Sequence, residues 1–179
     1  QKSDEAHKAY LDLRSDFVSV LKLWEHITER QDALSSNQFR KMCQQKFLSI
    51  LKIKQWQAIY QQLKQVVKNL NLVSNSKFLD REINISENKE DNKSNNLDPA
   101  YEKLHLSLLA GFISHIARFD EKGVYLGTRS RKGYLFPGSG LFKAIPKWVM
   151  SAYIRETTKV YFDLNAKIEP EWVVKVANH

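Results

Sequence analysis

The run GVYLGTRSRKGYLFPGSGLF (Gly123–Phe142) decides the fold. Val124-Tyr125-Leu126 and Tyr134-Leu135-Phe136 are short apolar and aromatic runs bounded by glycine, which is how strands rather than helices read. Residues 127–133, opened and closed by glycine, form the connecting turn, and PGSG at 137–140 is a further turn. Downstream, Trp148–Arg155 and Val160–Ile168 read as two more strands, joined near Glu156-Thr157-Thr158-Lys159. Pro170-Glu171-Trp172 opens a short terminal element. Four or five short strands separated by turns suit a small barrel, of which the OB-fold is the commonest basic example.

Upstream the pattern is different. All six glycines lie at Gly111 or later and all four prolines at Pro99 or later, so the first 98 residues lack both of the strongest breakers of local structure. Long helices follow. Ser15 is the expected N-cap of a helix from Asp16 to about Gln31, with Phe17, Val20, Leu21, Trp24 and Ile27 on one apolar face. Ser35 and Ser36 offer a cap for a shorter helix carrying Phe39, Met42, Cys43 and Phe47. A third helix, roughly Leu51–Leu70, carries Trp56, Ile59, Tyr60, Leu63, Val66, Val67 and Leu70 on a face expected to be core. The polar run at 73–97 reads as a surface loop or linker too poor in apolar residues to order itself. Asp98-Pro99 then restarts a helix, expected to run to about Phe119 as the most buried of the bundle, with Gly111 placed for close helix packing. The expected class is α+β: a helical bundle over residues 1–122, then an OB-fold-like barrel over 123–179.

The composition, 179 residues with 42% hydrophobic and 27% charged, is that of a globular chain able to bury a core. No stretch approaches a membrane span and Gln1–Tyr10 holds no apolar signal core, so a cytoplasmic location is expected. The single cysteine, Cys43, excludes an intrachain disulfide and reads as a small buried hydrophobe. The net charge of +8 favours anionic partners. Its distribution is more telling. Ala33–Leu79 holds eight basic residues and no acid, and Gly123–Arg155 holds six basic residues and no acid. Such segregation points to nucleic acid.

Catalytic signatures are missing. There is no GxxxxGK[ST] loop, and Gly138-Ser139-Gly140 lacks the third glycine of a dinucleotide loop. The five histidines are not spaced with Cys, Asp or Glu as metal ligands, and His105 and His115 read as hydrogen-bonded bundle residues. Ser139 has no elbow motif and no evident base. Asp4-Glu5-Ala6-His7 spells DEAH, but that motif needs a preceding strand and a P-loop, and only Gln1-Lys2-Ser3 precede it here. It reads as a chance match in a polar helix.

Other residues nevertheless carry a family resemblance. SLLAGFISHIAR (Ser107–Arg118) resembles the last bundle helix of the helicase-associated domain of DEAH-box RNA helicases. YLFPGSGLF (Tyr134–Phe142), PKWVM (Pro146–Met150), ETTK (Glu156–Lys159) and IEPEW (Ile168–Trp172) resemble that family's C-terminal OB-fold. RSDF, LW and ALSSNQFRKMC, up to Cys43, resemble the bacterial HrpA-type members. The resemblance implies a segment of a longer RNA helicase whose motor domains would use ATP and Mg; no cofactor is expected in the segment itself. It also implies that bundle and barrel close over the motor and complete a tunnel for single-stranded RNA. The expected partners are single-stranded RNA and, in cis, the motor domains; a monomer and no membrane contact are expected. The expected RNA-binding residues are Arg129, Arg131, Lys132, Ser139 and Lys159 in the barrel, with Arg40, Lys64 and Lys68 in the bundle. A competing reading is a protein-interaction module docking a regulatory partner on apolar strand edges.

Overall fold

The computed structural model describes residues 2–70 and 99–177. The polar run at 73–97 and the cap expected at Asp98 lie outside them. The described residues fall into two compact units, one of residues 2–6 and 30–70, the other of residues 7–29 and 99–177.

The first unit is helical: α1 (Lys2–His7), the end of α2 (Asp16–Ala33), α3 (Ser36–Gln45) and α4 (Ile50–Asn69). The backbone of Asp4–His7 is helical, not the end of a strand. Ser35 and Gln38 form a reciprocal capping box at α3, and the Ser49 hydroxyl accepts from Lys52 N at α4. Such caps each stabilise by about 1 kcal/mol. Cys43 is fully buried and Ile53 nearly so. The rest of α4 departs from expectation. Ile59, Tyr60, Leu63, Val66 and Leu70 are each at least 40% exposed, as is Phe47 on the turn after α3. Periodicity marks an apolar face but not what covers it, and α3 has 10 residues against the 20 of α4.

The second unit is a closed barrel with helices packed on it. Its strands are β1 (Ile116–Phe119), β2 (Val124–Gly127), β3 (Lys132–Leu135), β4 (Trp148–Glu156) and β5 (Val160–Lys167), in the order β1-β2-β3-β5-β4, with β4 pairing back onto β1. Only β3–β5 is parallel. α5 (Pro99–Phe112) precedes the barrel and α6 (Pro170–Ala177) closes it. The helix expected to reach Phe119 therefore ends at Phe112, passes through a 3₁₀ turn at Ile113–His115, and becomes β1. Ala117 points into the barrel and Arg118 out, the period of a strand. Gly111 is exposed with open space where a Cβ would stand, so it serves no close packing. It lies one residue before the end of the helix it weakens.

The barrel core is Ala117, Tyr125, Leu135, Leu141, Val149 and Phe162. The Phe162 ring lies against Gly127 and Gly133, where an added Cβ would stand 2.9 Å from ring carbons. Only glycine leaves that room. The Tyr125 hydroxyl donates to Pro146 O at 2.7 Å, and burial pushes its pKa up to about 12.

A polar knot fixes α2 and α5 to the barrel inside this unit. His105 Nδ1–H donates to Tyr101 O at 2.7 Å, so the bare Nε2 accepts from the buried Ser15 hydroxyl at 2.7 Å. Ser15 in turn caps α2 by accepting from Val18 N. The Tyr101 hydroxyl donates to Arg14 O and Lys167 O. His105 is thus the bonded core residue expected, whereas the buried His115 Nδ1 has no hydrogen-bond partner among the described residues.

Candidate nucleic-acid interface

Alternation along the strands sorts side chains into and out of the barrel. In β3, Gly133 and Leu135 go in, so Lys132 and Tyr134 go out. The registers align Val124 with Tyr134, Tyr134 with Tyr161, and Tyr161 with Arg155, an outward row across β2, β3, β5 and β4. Tyr134 and Tyr161 have ring centroids 6.5 Å apart, and Phe136 meets Tyr161 edge-on at 6.1 Å. Two cations lie on these rings. Lys159 Nζ is 5.0 Å from the Tyr134 centroid and the Arg155 guanidinium 5.3 Å from that of Phe136. Tyr153, opposite Asp163 in the register, is 60% exposed beside them. A second outward row joins Trp148, Arg118, Leu126 and Lys132 across β4, β1, β2 and β3.

Of the residues expected from sequence, Arg129, Arg131, Lys132 and Lys159 are exposed on this barrel. Arg129 and Ser130 hold φ of 56° and 57° at the β2–β3 turn, a left-handed pair that projects the guanidinium outward. Arg131 is paired with Glu156 at 3.1 Å, and Arg155 with Asp163 at 2.6 Å. The surface expected to be acid-free is therefore not so in space, because β4 and β5 bring two carboxylates to it from beyond Arg155.

Ser139 faces inward. Its hydroxyl donates to Asp16 Oδ2 at 2.6 Å, while Gly140 N donates to Asp16 Oδ1 and Asn165 N to Asp16 Oδ2, both at 2.8 Å. The PGSG loop cradles an anion, but it is the protein's own. Asp16 is buried, and burial raises its carboxyl above the ordinary value against the pull of the three bonds. Arg40, Lys64 and Lys68 belong to the helical unit: Arg40 is exposed beside a cleft, Lys64 is half-buried on α4, and Lys68 is exposed in its last turn.

Sequence reasoning did not single out Tyr134, Phe136, Tyr161, Arg118 or Trp148 as candidates, and it counted Arg155 only among the six basic residues of 123–155. The signal was present in K-G-Y-L-F at 132–136, where placing Gly133 and Leu135 inside puts Lys132, Tyr134 and Phe136 on one outer face. Among the described residues no group of three or more His, Cys, Asp or Glu is placed to hold a metal. No described helix is long and apolar enough to cross a membrane.

Residues 104–179 match the family described as the oligonucleotide/oligosaccharide-binding (OB)-fold. With the closed five-strand order above, this makes the chain an OB-fold protein with a helical region before the barrel. Over its whole length it is 42% identical to the ATP-dependent RNA helicase HrpA of Escherichia coli strain K12 and 39% identical to the ATP-dependent RNA helicase HrpA homolog of Haemophilus influenzae. The chain is similar from end to end to a segment of these helicases and spans 12% of the length of each.

Proposed function

We propose that the chain is an accessory region of a longer ATP-dependent RNA helicase, binding single-stranded RNA on the barrel and helping to close an RNA tunnel over motor domains in the same polypeptide. ATP and Mg would be used by those domains, in the cytoplasm, by a monomer. The observation that carries this reading is the outward aromatic row with cations seated on its rings. Rings offer every base a stacking face worth about 1–3 kcal/mol, and cations at their margin meet phosphates without reading sequence. Arg129, Lys132 and Lys159, which have no ion pair among the described residues, are the expected phosphate contacts.

The test is binding of an oligouridylate of about 12 nucleotides, within the span an OB-fold covers, as a function of salt. Replacing Arg129, Lys132 and Lys159 by Ala should lower the salt slope by about 2, at ~0.7 per single-strand phosphate contact. Tyr161→Ala should weaken binding at every salt concentration. An unchanged slope and affinity in folded variants would overturn the reading.

The alternative, a protein-docking module, does not find the open strand edges it was expected to use, since β4 closes the barrel onto β1. It is favoured instead by the exposed Ile59, Leu63 and Val66 on α4 and Leu70 at its C-cap. Binding of that kind would resist salt, because apolar contacts release no counterions.

A further inference from the structure

Helix α4 carries two apolar stripes, and only one of them is covered. Ile53 is nearly fully buried, and Trp56 and Val67 on the same face are half-buried. On the adjacent face stand Ile59, Leu63 and Val66, with Leu70 at the C-cap, between 50% and 61% exposed. These four are spaced four, three and four residues apart. That is the heptad seam of a helix packed lengthwise against another helix, narrower than the broad stripe a globular core covers.

Charge excludes nucleic acid from this seam. α4 holds no carboxylate, its lysines from Lys54 onward lie off the seam, and the exposed flank is Gln55, Gln62 and Asn69, all neutral. An uncharged stripe releases no counterions from a phosphate backbone. Area decides where the covering helix comes from. Four aliphatic side chains, each about half exposed, offer roughly 400 Å², so two copies of α4 would bury about 800 Å² between them, the scale of a lattice contact and short of the ~1,200 Å² of a specific complex. A helix of the same polypeptide does not face that threshold, because its tether holds it at an effective concentration of about millimolar. In the relatives, most of the polypeptide lies outside the matching segment, which is 12% of their length.

We propose that the α4 seam is the docking face for one amphipathic helix of the same polypeptide, from outside residues 1–179, with apolar residues at heptad spacing and uncharged flanks. The assignment rests on the reading of the chain as a segment of a longer protein and not on RNA binding. It takes from the protein-docking alternative the face that favoured it. Leu63 and Val66 lie at the middle of the seam, which rises about 17 Å from Ile59 to Leu70 at ~1.5 Å per residue.

The experiment compares the natural full-length polypeptide with the 179-residue chain by hydrogen exchange. Amides of residues 59–70 should exchange at least tenfold more slowly, as an order of magnitude, in the full-length polypeptide. Leu63→Gln/Val66→Gln should erase that difference and leave exchange in the 179-residue chain unchanged, because both side chains are exposed there. Equal rates in the two proteins would overturn the proposal. An equal effect of the double variant on both would make the seam part of the helical unit's own fold, and would overturn it too. A photoreactive benzoylphenylalanine placed at position 63 should cross-link to a peptide of the same polypeptide from outside residues 1–179. A cross-link to residues 1–179, within one molecule or between two, would overturn it. So would sedimentation of the 179-residue chain as a dimer that the double variant abolishes, in favour of a second copy. Oligouridylate binding by the barrel enters none of these readouts, so failure of the RNA reading and failure of this one are told apart.

Discussion

Replacing Asp16 by Asn tests how the barrel is tied to α2. The carboxylate accepts three bonds at the point where the 139–140 loop and β5 meet the first turn of α2. Asparagine keeps the shape but offers one oxygen, so at least one of the donors Gly140 N and Asn165 N faces an NH₂ group. A buried amide left without an acceptor costs about 1–3 kcal/mol, which is the loss expected for Asp16→Asn in acid. The pH dependence gives the sharper test. Burial is the largest influence on Asp16 and raises its pKa above the ordinary 3.8. With a raised folded pKa, the stabilisation from Asp16 is full below about 3.8 and is eroded as pH climbs through the folded value, because the unfolded chain releases the proton more readily. The gap between wild type and Asp16→Asn should therefore narrow as pH rises from about 4 to 8. Urea unfolding midpoints followed by tryptophan fluorescence across that range measure it. A gap that widened with pH would mean that the three donors stabilise the ion by more than burial penalises it, and the argument from desolvation would be wrong.

Other perturbations follow from the same packing. Gly140→Ala would set a Cβ inside contact distance of the Asp12 carbonyl oxygen; a loss of 1–3 kcal/mol or more, typical of overpacking at about that scale, should appear in the urea midpoint, and a neutral result would show that the loop shifts freely. His105 has its pKa lowered from 6.5, chiefly by burial, so its stabilisation is present above about 6.5 and is lost as pH falls through the folded value; His105→Gln should flatten the acid side of the stability profile, and an identical profile would refute this. Gly133→Ala should displace the Phe162 ring and the Val160 carbonyl that flank it, lowering the thermal midpoint without changing the net charge. Arg131→Ala should change the RNA salt slope less than Lys132→Ala, because Glu156 already neutralises Arg131.

The barrel was legible because its punctuation is local. Gly127, Gly133, Pro137 and Gly140 mark turns and close approaches that a single sequence displays. β1 was not legible, since Ile116-Ala117-Arg118-Phe119 continues the apolar run of α5 and only pairing with β2 and β4 makes it a strand. Caps at Ser15, Ser35 and Ser49 are short-range hydrogen bonds, and the first two could be read from residue type. The exposed face of α4 could not, because burial depends on neighbours that periodicity does not name. Ser139 was misplaced for the same reason. Its partner, Asp16, lies 123 residues away in sequence.

The same alternation that fills the barrel sets the surface outside it. Two strand positions, Gly127 and Gly133, carry no side chain so that one ring, Phe162, can fit. Tyr125, Leu135, Leu141 and Val149 fill the rest of the core, with Phe119 packed against it. Strand alternation turns Tyr134, Phe136 and Tyr161 out, and register sets them side by side. Half-buried rings next to lysine and arginine attract those cations at about 0.5–1 kcal/mol each, which holds Lys159 over Tyr134 and Arg155 over Phe136. Arg155 is then also claimed by Asp163, and Arg131 by Glu156. Exposed barrel cations without an ion pair among the described residues include Lys159 beside the rings, Arg118 and Lys132 on the neighbouring outward row, and Arg129 at the β2–β3 turn. Charge counted along the chain makes all of them equal; packing decides which remain available.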